Sequence, residues 1–381
     1  MLIQTVPDIK TKLSILSQQS QYDLACACTG KNEPRRRRSQ DNRWIYPVVL
    51  PDGRKTFLFK TLLSNNCVND CAYCPLRADS DPKRCTLEAD EIARAFIAYH
   101  NTGKVSGLFL SSGVMGTPDN TLERINQVAR ILRKREHFKG YIHLKVIPGA
   151  SSAAIEESLS LASAVSINLE VPGADNFRKL SLKKDYQNDV IAPLKLISRL
   201  TAKGQRYHNV RQTTQFVVGA STETDRELVE YTGALYDRLK LDRVYFSAYQ
   251  RGVGRPDIPG EHSVLANDAL LTREHRLYQV DFLLRKYGFQ AGEIPLDASG
   301  ALSLDMDPKE AWARHHPECF PVNVNHAEPM QLLRVPGFGP ITVNRLLKIR
   351  RNGGWVRRLE QLGHGKAGKR LQRALEFVRF G

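Results

Sequence analysis

The sequence predicts an α/β protein: an open barrel of six βα units followed by a small, basic, α-helical module. Strand-like and helix-like segments alternate from Thr56 to about Pro295, the pattern of a parallel sheet. A tight cysteine triplet follows the first of these strands, and positive charge is concentrated at the end of the chain. With 381 residues there is room for one large domain and one small one. Apolar content of 41% and charged content of 25% are those of an ordinary globular protein. No apolar run reaches the ~18 residues of a membrane span. The N-terminus MLIQTVPDIKTKLSILSQQSQ is too polar for a signal peptide, so a cytoplasmic protein without membrane partners is expected. The seven cysteines are odd in number and accompany no export signal, so they are expected to be reduced and able to bind metal.

Residues 1–55 read as an N-terminal extension with one amphipathic helix near Ile9–Ser17 and irregular chain after it. Within it, the stretch Glu33–Arg43 is a charged loop, either plainly solvated or in contact with phosphate. Residues 56–299 form the barrel. Its strands are TFLFKTLL, VSGLFLSS, YIHLKVIP, AVSINLEV, RQTTQFVVG and DRVYFSAYQ. Helices are expected over Leu87–His100, Asn120–Glu136, Ala153–Ala162, Asp189–Thr201 and Thr224–Leu239, with a further one near Arg273–Tyr287. In such a barrel the site lies at the C-terminal ends of the strands. Residues 300–325, broken by Pro308, Pro317 and Pro321, read as a linker, and 326–381 as the helical module. From Ala327 onward there are 12 Lys/Arg against 3 Asp/Glu, more than half of the net +16, which points to a polyanion partner.

The stretch LSNNCVNDCAYCPLR places Cys67, Cys71 and Cys74 just past the first strand, at the catalytic end. Three thiolates on a short loop suit three irons of a cubane cluster, leaving the fourth iron open for an exogenous ligand. A structural zinc site completed by Cys85, or unrelated buried thiols, are the other readings. The C-x3-C-x2-C spacing with Tyr73 before the last cysteine resembles the radical S-adenosylmethionine superfamily, over roughly Thr56–Pro295. The resemblance implies a partial barrel with a 4Fe–4S cluster and S-adenosylmethionine, cleaved to a 5′-deoxyadenosyl radical, and an electron donor to reduce the cluster.

It also implies cofactor-binding roles on the strands. Ser111, Ser112 and Gly113 occupy the place where the family's backbone bonds the cofactor's amino group, although the usual acidic residue is missing. A small-residue turn before a helix capped near Thr117 is the alternative. In AVSINLEV, Val165, Ile167, Leu169 and Val171 alternate with Ser166, Asn168 and Glu170. The polar set should line the barrel and meet the cofactor, unless the strand is a solvated edge. His143 and Lys145 alternate in the same way, and Lys145 needs a carboxylate, from Glu170 or the cofactor. Gly219 and Glu223, with Gln215 at the start of that stretch, match the family's adenine-pocket pattern; Tyr73 and Tyr249 are placed at the pocket as well.

In the tail, EPMQLLRVPGFGPITVNRLLKIRRNGG resembles a helix-hairpin-helix motif. Gly337 and Gly339 would let backbone amides approach a phosphate, and Arg345, Lys348, Arg350 and Arg351 would supply charge. Val343 stands where the motif has a smaller residue. Together with YDLACACTG and FPVNVNHAEPM, the two motifs resemble the DNA modification or repair radical S-adenosylmethionine proteins. That resemblance implies nucleic acid, DNA in particular, as substrate and a partner like uracil-DNA glycosylase. Alternatives are a DNA-binding protein with a structural or redox-sensing cluster, and a radical enzyme acting on RNA or protein.

Overall fold

The computed structural model describes residues 7–20, 44–49, 55–363, 368 and 371–381. Cys26, Cys28, YDLACACTG and the Glu33–Arg43 loop lie outside them. The described residues fall into two compact units. The first comprises those up to Glu223 with Leu235–Leu270, and the second Thr224–Ala234 with Leu271–Gly381. The division crosses two helices, so it does not follow the expected boundary near residue 300.

In the first unit, α1 (Ile9–Gln19) begins at Asp8, whose side chain accepts from the Thr11 amide at 2.7 Å, and buries Leu13 and Leu16. The sheet has seven strands in sequential order: β1 (Ile45–Val49), β2 (Lys55–Leu62), β3 (Gly107–Ser111), β4 (Tyr141–Lys145), β5 (Ala164–Ser166), β6 (Arg211–Val218) and β7 (Arg243–Ala248). Neighbours from β2 to β7 are parallel, as the six βα units require. The seventh strand was not expected. Ile45–Val49 pairs antiparallel with β2, and Pro47, which cannot donate to a ladder, sits on this edge strand opposite Phe57.

The crossovers are α2 (Ala89–Asn101), α3 (Pro118–Arg130), α4 (Ser152–Leu161), α5 (Ala174–Arg178), α6 (Ala192–Thr201) and α7 (Asp225–Leu239). Thr117 caps α3 by accepting from the Asn120 amide at 3.2 Å. π-helical turns, Ile131–Arg135 and Tyr186–Ile191, extend α3 and precede α6. Alternation decides what each strand shows to either side. Val165, Ile167, Leu169 and Val171 are fully buried, whereas Lys145, Asn168, Glu170, Gln215 and Ser247 line a common cavity. Side chains from successive strands meet at one cavity because the sheet is curled into an open half-barrel.

After α8 (Asn267–Lys286), the second unit continues with α9 (Pro308–His315), β8 (Val322–Asn323), α10 (Pro329–Arg334), α11 (Pro340–Arg351) and β9 (Val378–Arg379), the last pairing parallel with β8. Residues 300–325 are therefore no linker: they carry α9, whose Trp312 is 4% exposed, and the strand that receives the chain end. Leu332, Val335, Phe338, Val343 and Leu346 are buried around α10 and α11. Asn325 fastens the chain end: its Nδ2 donates to the Val356 and Phe380 carbonyls, both at 2.9 Å, and its Oδ1 accepts from the Val356 amide at 2.8 Å.

Candidate active site at the strand ends

The cysteine loop is built before any ligand enters it. Asp70 accepts from Ser181 Oγ at 2.5 Å and from the Leu182 and Lys183 amides at 2.9 and 3.2 Å. The Ala72 amide donates to the Leu180 carbonyl at 2.7 Å, and Lys183 Nζ to the Val68 carbonyl at 2.8 Å. Arg84 spreads its guanidinium over the Asn65, Leu76, Arg77 and Ser80 carbonyls. The Val68 amide reaches the Val114 carbonyl at 2.9 Å. A Cβ on Gly113 would stand 2.3 Å from the Asn66 carbonyl oxygen and 3.2 Å from Cys67 Cβ, so only glycine allows this approach.

Cys67, Cys71 and Cys74 all line a cavity of about 180 Å³ at the C-terminal ends of the strands. The Leu76 amide donates to Cys74 Sγ at 3.4 Å. Burial and the nearness of the other thiols push Cys74 well up, and burial pushes Cys71 up against the opposing pull of Lys184. Three thiolates here thus call for a compensating cation. Among the described residues no group of three or more His, Cys, Asp or Glu is placed to hold a single metal ion. In a cluster each thiolate binds a different iron, so that closeness is not required. Cys85 does not line the cavity: its Sγ faces the Lys12 carbonyl at 3.9 Å. Cys319 is exposed.

Opposite the cysteines, Glu170 stands at φ +66°, a conformation that costs a non-glycine residue energy. Its backbone bridges to β6: its amide donates to the Gln215 carbonyl at 3.0 Å, and its carbonyl accepts from Val217 at 2.6 Å. Its carboxylate accepts from Asn168 Nδ2 at 3.4 Å and shares the cavity with Tyr73. Burial, Glu170 and the two nearest thiols raise the Tyr73 phenol far above its ordinary value. Asn168 Oδ1 is buried with no partner, an orphan acceptor at a cavity wall.

Of the residues expected to bind cofactor, Tyr73, Ser111, Ser112, Gly113, Lys145, Asn168, Glu170, Gln215 and Tyr249 line this cavity. Gly219 and Glu223 do not line it. Glu223 is buried and accepts from the Gly219 and Ser221 amides, shaping the loop after β6. Ser112 Oγ donates to the Gly113 carbonyl at 2.6 Å. His143, on the same side of its strand as Lys145, is satisfied by Ser166 Oγ at 2.9 Å and the Tyr141 hydroxyl at 3.2 Å. Tyr249 donates to Glu261 and accepts from the Gly254 amide at 3.0 Å, holding the Gly252–Gly254 loop beside the cavity. Gly254 is needed there, since a Cβ would lie 2.2 Å from the Tyr249 hydroxyl.

Lys184 was missed in the sequence. It lines the cavity together with Cys71 and Glu170. Burial alone would lower its pKa, but Cys71 and Glu170 outweigh that and raise it. Within KLSLKKDY nothing separates it from a solvated charge run. In the same way, Asp70 and Arg84 carry no motif of their own.

In the tail, the turn between α10 and α11 has Gly337 at φ +84°, which glycine favours. A Cβ on Gly339 would meet the Tyr287 hydroxyl at 3.2 Å. The four expected phosphate contacts divide. Arg345 donates to the Leu362 carbonyl and Arg350 to the Ala327 carbonyl, so both fasten the module. Lys348 and Arg351 are exposed. Behind the turn, buried Lys309 donates to the Phe338 carbonyl at 2.5 Å with its ammonium 4.5 Å from the Tyr287 ring centre, and burial lowers its pKa to about 7.

No family model and no curated protein matches the chain. Among solved structures it is similar to the FeFe-hydrogenase maturase HydG from Carboxydothermus hydrogenoformans, at 15% identity over 59% of this chain and 51% of that one, TM-score 0.45. It is similar to Streptococcus suis SuiB at 14% identity over 60% and 47%, TM-score 0.45. It is also similar to OxsB, a cobalamin-dependent S-adenosylmethionine radical enzyme, at 13% identity over 81% and 51%, TM-score 0.36. The likeness is one of fold. The matched regions cover about half the length of these neighbours.

Proposed function

We propose that the chain is a radical S-adenosylmethionine enzyme whose 4Fe–4S cluster is held by Cys67, Cys71 and Cys74. The observation that carries this reading is a cavity with three thiols on one wall and the orphan Asn168 Oδ1 on another, at the strand ends of a half-barrel. The residues fit both groups. The thiols supply a ligand set one short of a closed cubane, and Asn168, Glu170 and Lys145 offer an acceptor, an anion and a cation to a zwitterionic ligand. When bound, the two groups together supply one-electron cleavage of the sulfonium and abstraction of a substrate hydrogen. The chain's own residues position and shield. The clamp around Asp70 fixes the thiols, Asn168 and Glu170 orient the ligand, and Tyr249 and Val253 cover it from water.

The substrate reading is nucleic acid, DNA in particular. It is supported by the charge of the tail, by the resemblance of its sequence to a helix-hairpin-helix motif, and by the glycine turn that opens α11, where Gly339, Ile341 and Thr342 have amides without intrahelical partners. A partner like uracil-DNA glycosylase, an electron donor and a cytoplasmic location belong to the same proposal. Among the described residues no helix is long and apolar enough to cross a membrane.

The test is anaerobic reconstitution with iron and sulfide, then reduction with S-adenosylmethionine. Formation of 5′-deoxyadenosine supports the enzyme; a stable cluster without it supports a structural or redox-sensing cluster instead. Mass spectrometry of nucleosides after incubation with duplex DNA, and separately with tRNA, decides the substrate class.

A further inference from the structure

We propose that Lys184 sets the reduction potential of the cluster, by holding a positive charge in the cavity that Cys71 lines. The inference rests on the cluster reading above. Lys184 is a positioning residue for electrons: it acts on the metal group through its charge.

The geometry leaves it little choice of place. Residues 180–183 are latched to the cysteine loop by the Leu180 carbonyl, Ser181 Oγ, the Leu182 and Lys183 amides and Lys183 Nζ. The next residue is therefore carried to the thiols, where Lys184 lines the cavity with Cys71 and Glu170. Its ammonium also lies 5.1 Å from the Phe177 ring centre, a face that favours a cation.

Reduction adds a negative charge to a group already surrounded by three thiolates. A fixed cation in the same cavity stabilises the reduced form more than the oxidised one. Glu170 makes the effect larger. Its carboxylate lies in the same cavity and opposes reduction, and Lys184 offsets it. Removing the lysine takes away one favourable charge and exposes one unfavourable charge, so both changes lower the potential.

The experiment is a redox titration of the reconstituted protein, followed by electron paramagnetic resonance of the reduced cluster. Lys184→Met should load the same iron as the unchanged protein. At the wild-type midpoint its ratio of reduced to oxidised cluster should fall about tenfold, a shift of about 59 mV to lower potential. Lys184→Gln, neutral but polar, should shift in the same direction, and it carries the test if the methionine variant loads poorly. Adding Glu170→Gln to Lys184→Met should recover part of the loss. A normal cluster with an unchanged or raised midpoint in both single variants overturns this inference alone. A wild-type protein that takes up no cluster overturns it together with the reading on which it rests.

Discussion

Asp70, between two of the cysteines, accepts a hydrogen bond from Ser181 Oγ at 2.5 Å, joining residues 111 positions apart in the chain. This contact and its neighbours hold a short, polar loop in one shape although it has little apolar surface to bury.

The clamp should therefore be pH-dependent. Burial works against the Asp70 carboxylate, but bonds from Ser181 and the Leu182 and Lys183 amides outweigh it and hold the pKa below the ordinary value. Its stabilisation is present above the unfolded carboxyl pKa of about 3.9 and is lost as pH falls through the lower folded value. Asp70→Ala should cost about 1–2 kcal/mol at pH 7. Thermal unfolding at pH 7 and again near pH 3 should show the gap between variant and wild type closing in acid. A gap of equal size at both values would mean that Asp70 is not the charged latch.

Single replacement of Cys67, Cys71 or Cys74 by Ala should abolish the visible absorbance of the reconstituted cluster. Replacement of Cys85 or Cys319 should leave about four irons per chain. Loss of the cluster in the Cys85 variant would reopen the zinc-like reading with that residue as a fourth ligand.

Asn168→Ala should weaken S-adenosylmethionine binding about three- to tenfold, the value of one net hydrogen bond, with iron content unchanged. Calorimetric titration of the loaded protein measures it. Equal affinity would mean that the orphan oxygen does not meet the ligand.

For the tail, Lys348→Ala should reduce the log–log salt slope of duplex binding by roughly 0.9, as expected for one lost phosphate contact. Arg345→Ala should instead lower thermal stability, because that guanidinium satisfies the Leu362 carbonyl. The reverse pattern would mean that the exposed face of α11 is not the binding face. Truncation near Val322 is a poor substitute for these variants, since it cuts into β8 and removes β9 along with α10 and α11.

The sequence by itself determined the half-barrel. Period-two alternation in AVSINLEV and YIHLKVIP pointed to Lys145, Asn168 and Glu170 as inner-face residues. All three line the cavity, although β5 ends at Ser166 and Asn168 and Glu170 reach it from the segment that follows. Cysteine spacing placed the thiols after the first parallel strand. Local pattern reaches only as far as neighbours a few residues apart. Ile45–Val49 looked irregular because an edge strand is defined by the partner it finds, and α9 was hidden by the prolines that flank and begin it. Tertiary structure alone decided that Glu223 shapes its own loop, and that Arg345 and Arg350 fasten the module while Lys348 remains exposed. It also decided that Lys184 lines the same cavity as Cys71. The physical reason is the same in each case: a charged side chain takes its role from the group it pairs with, and that partner is brought to it by the folded chain.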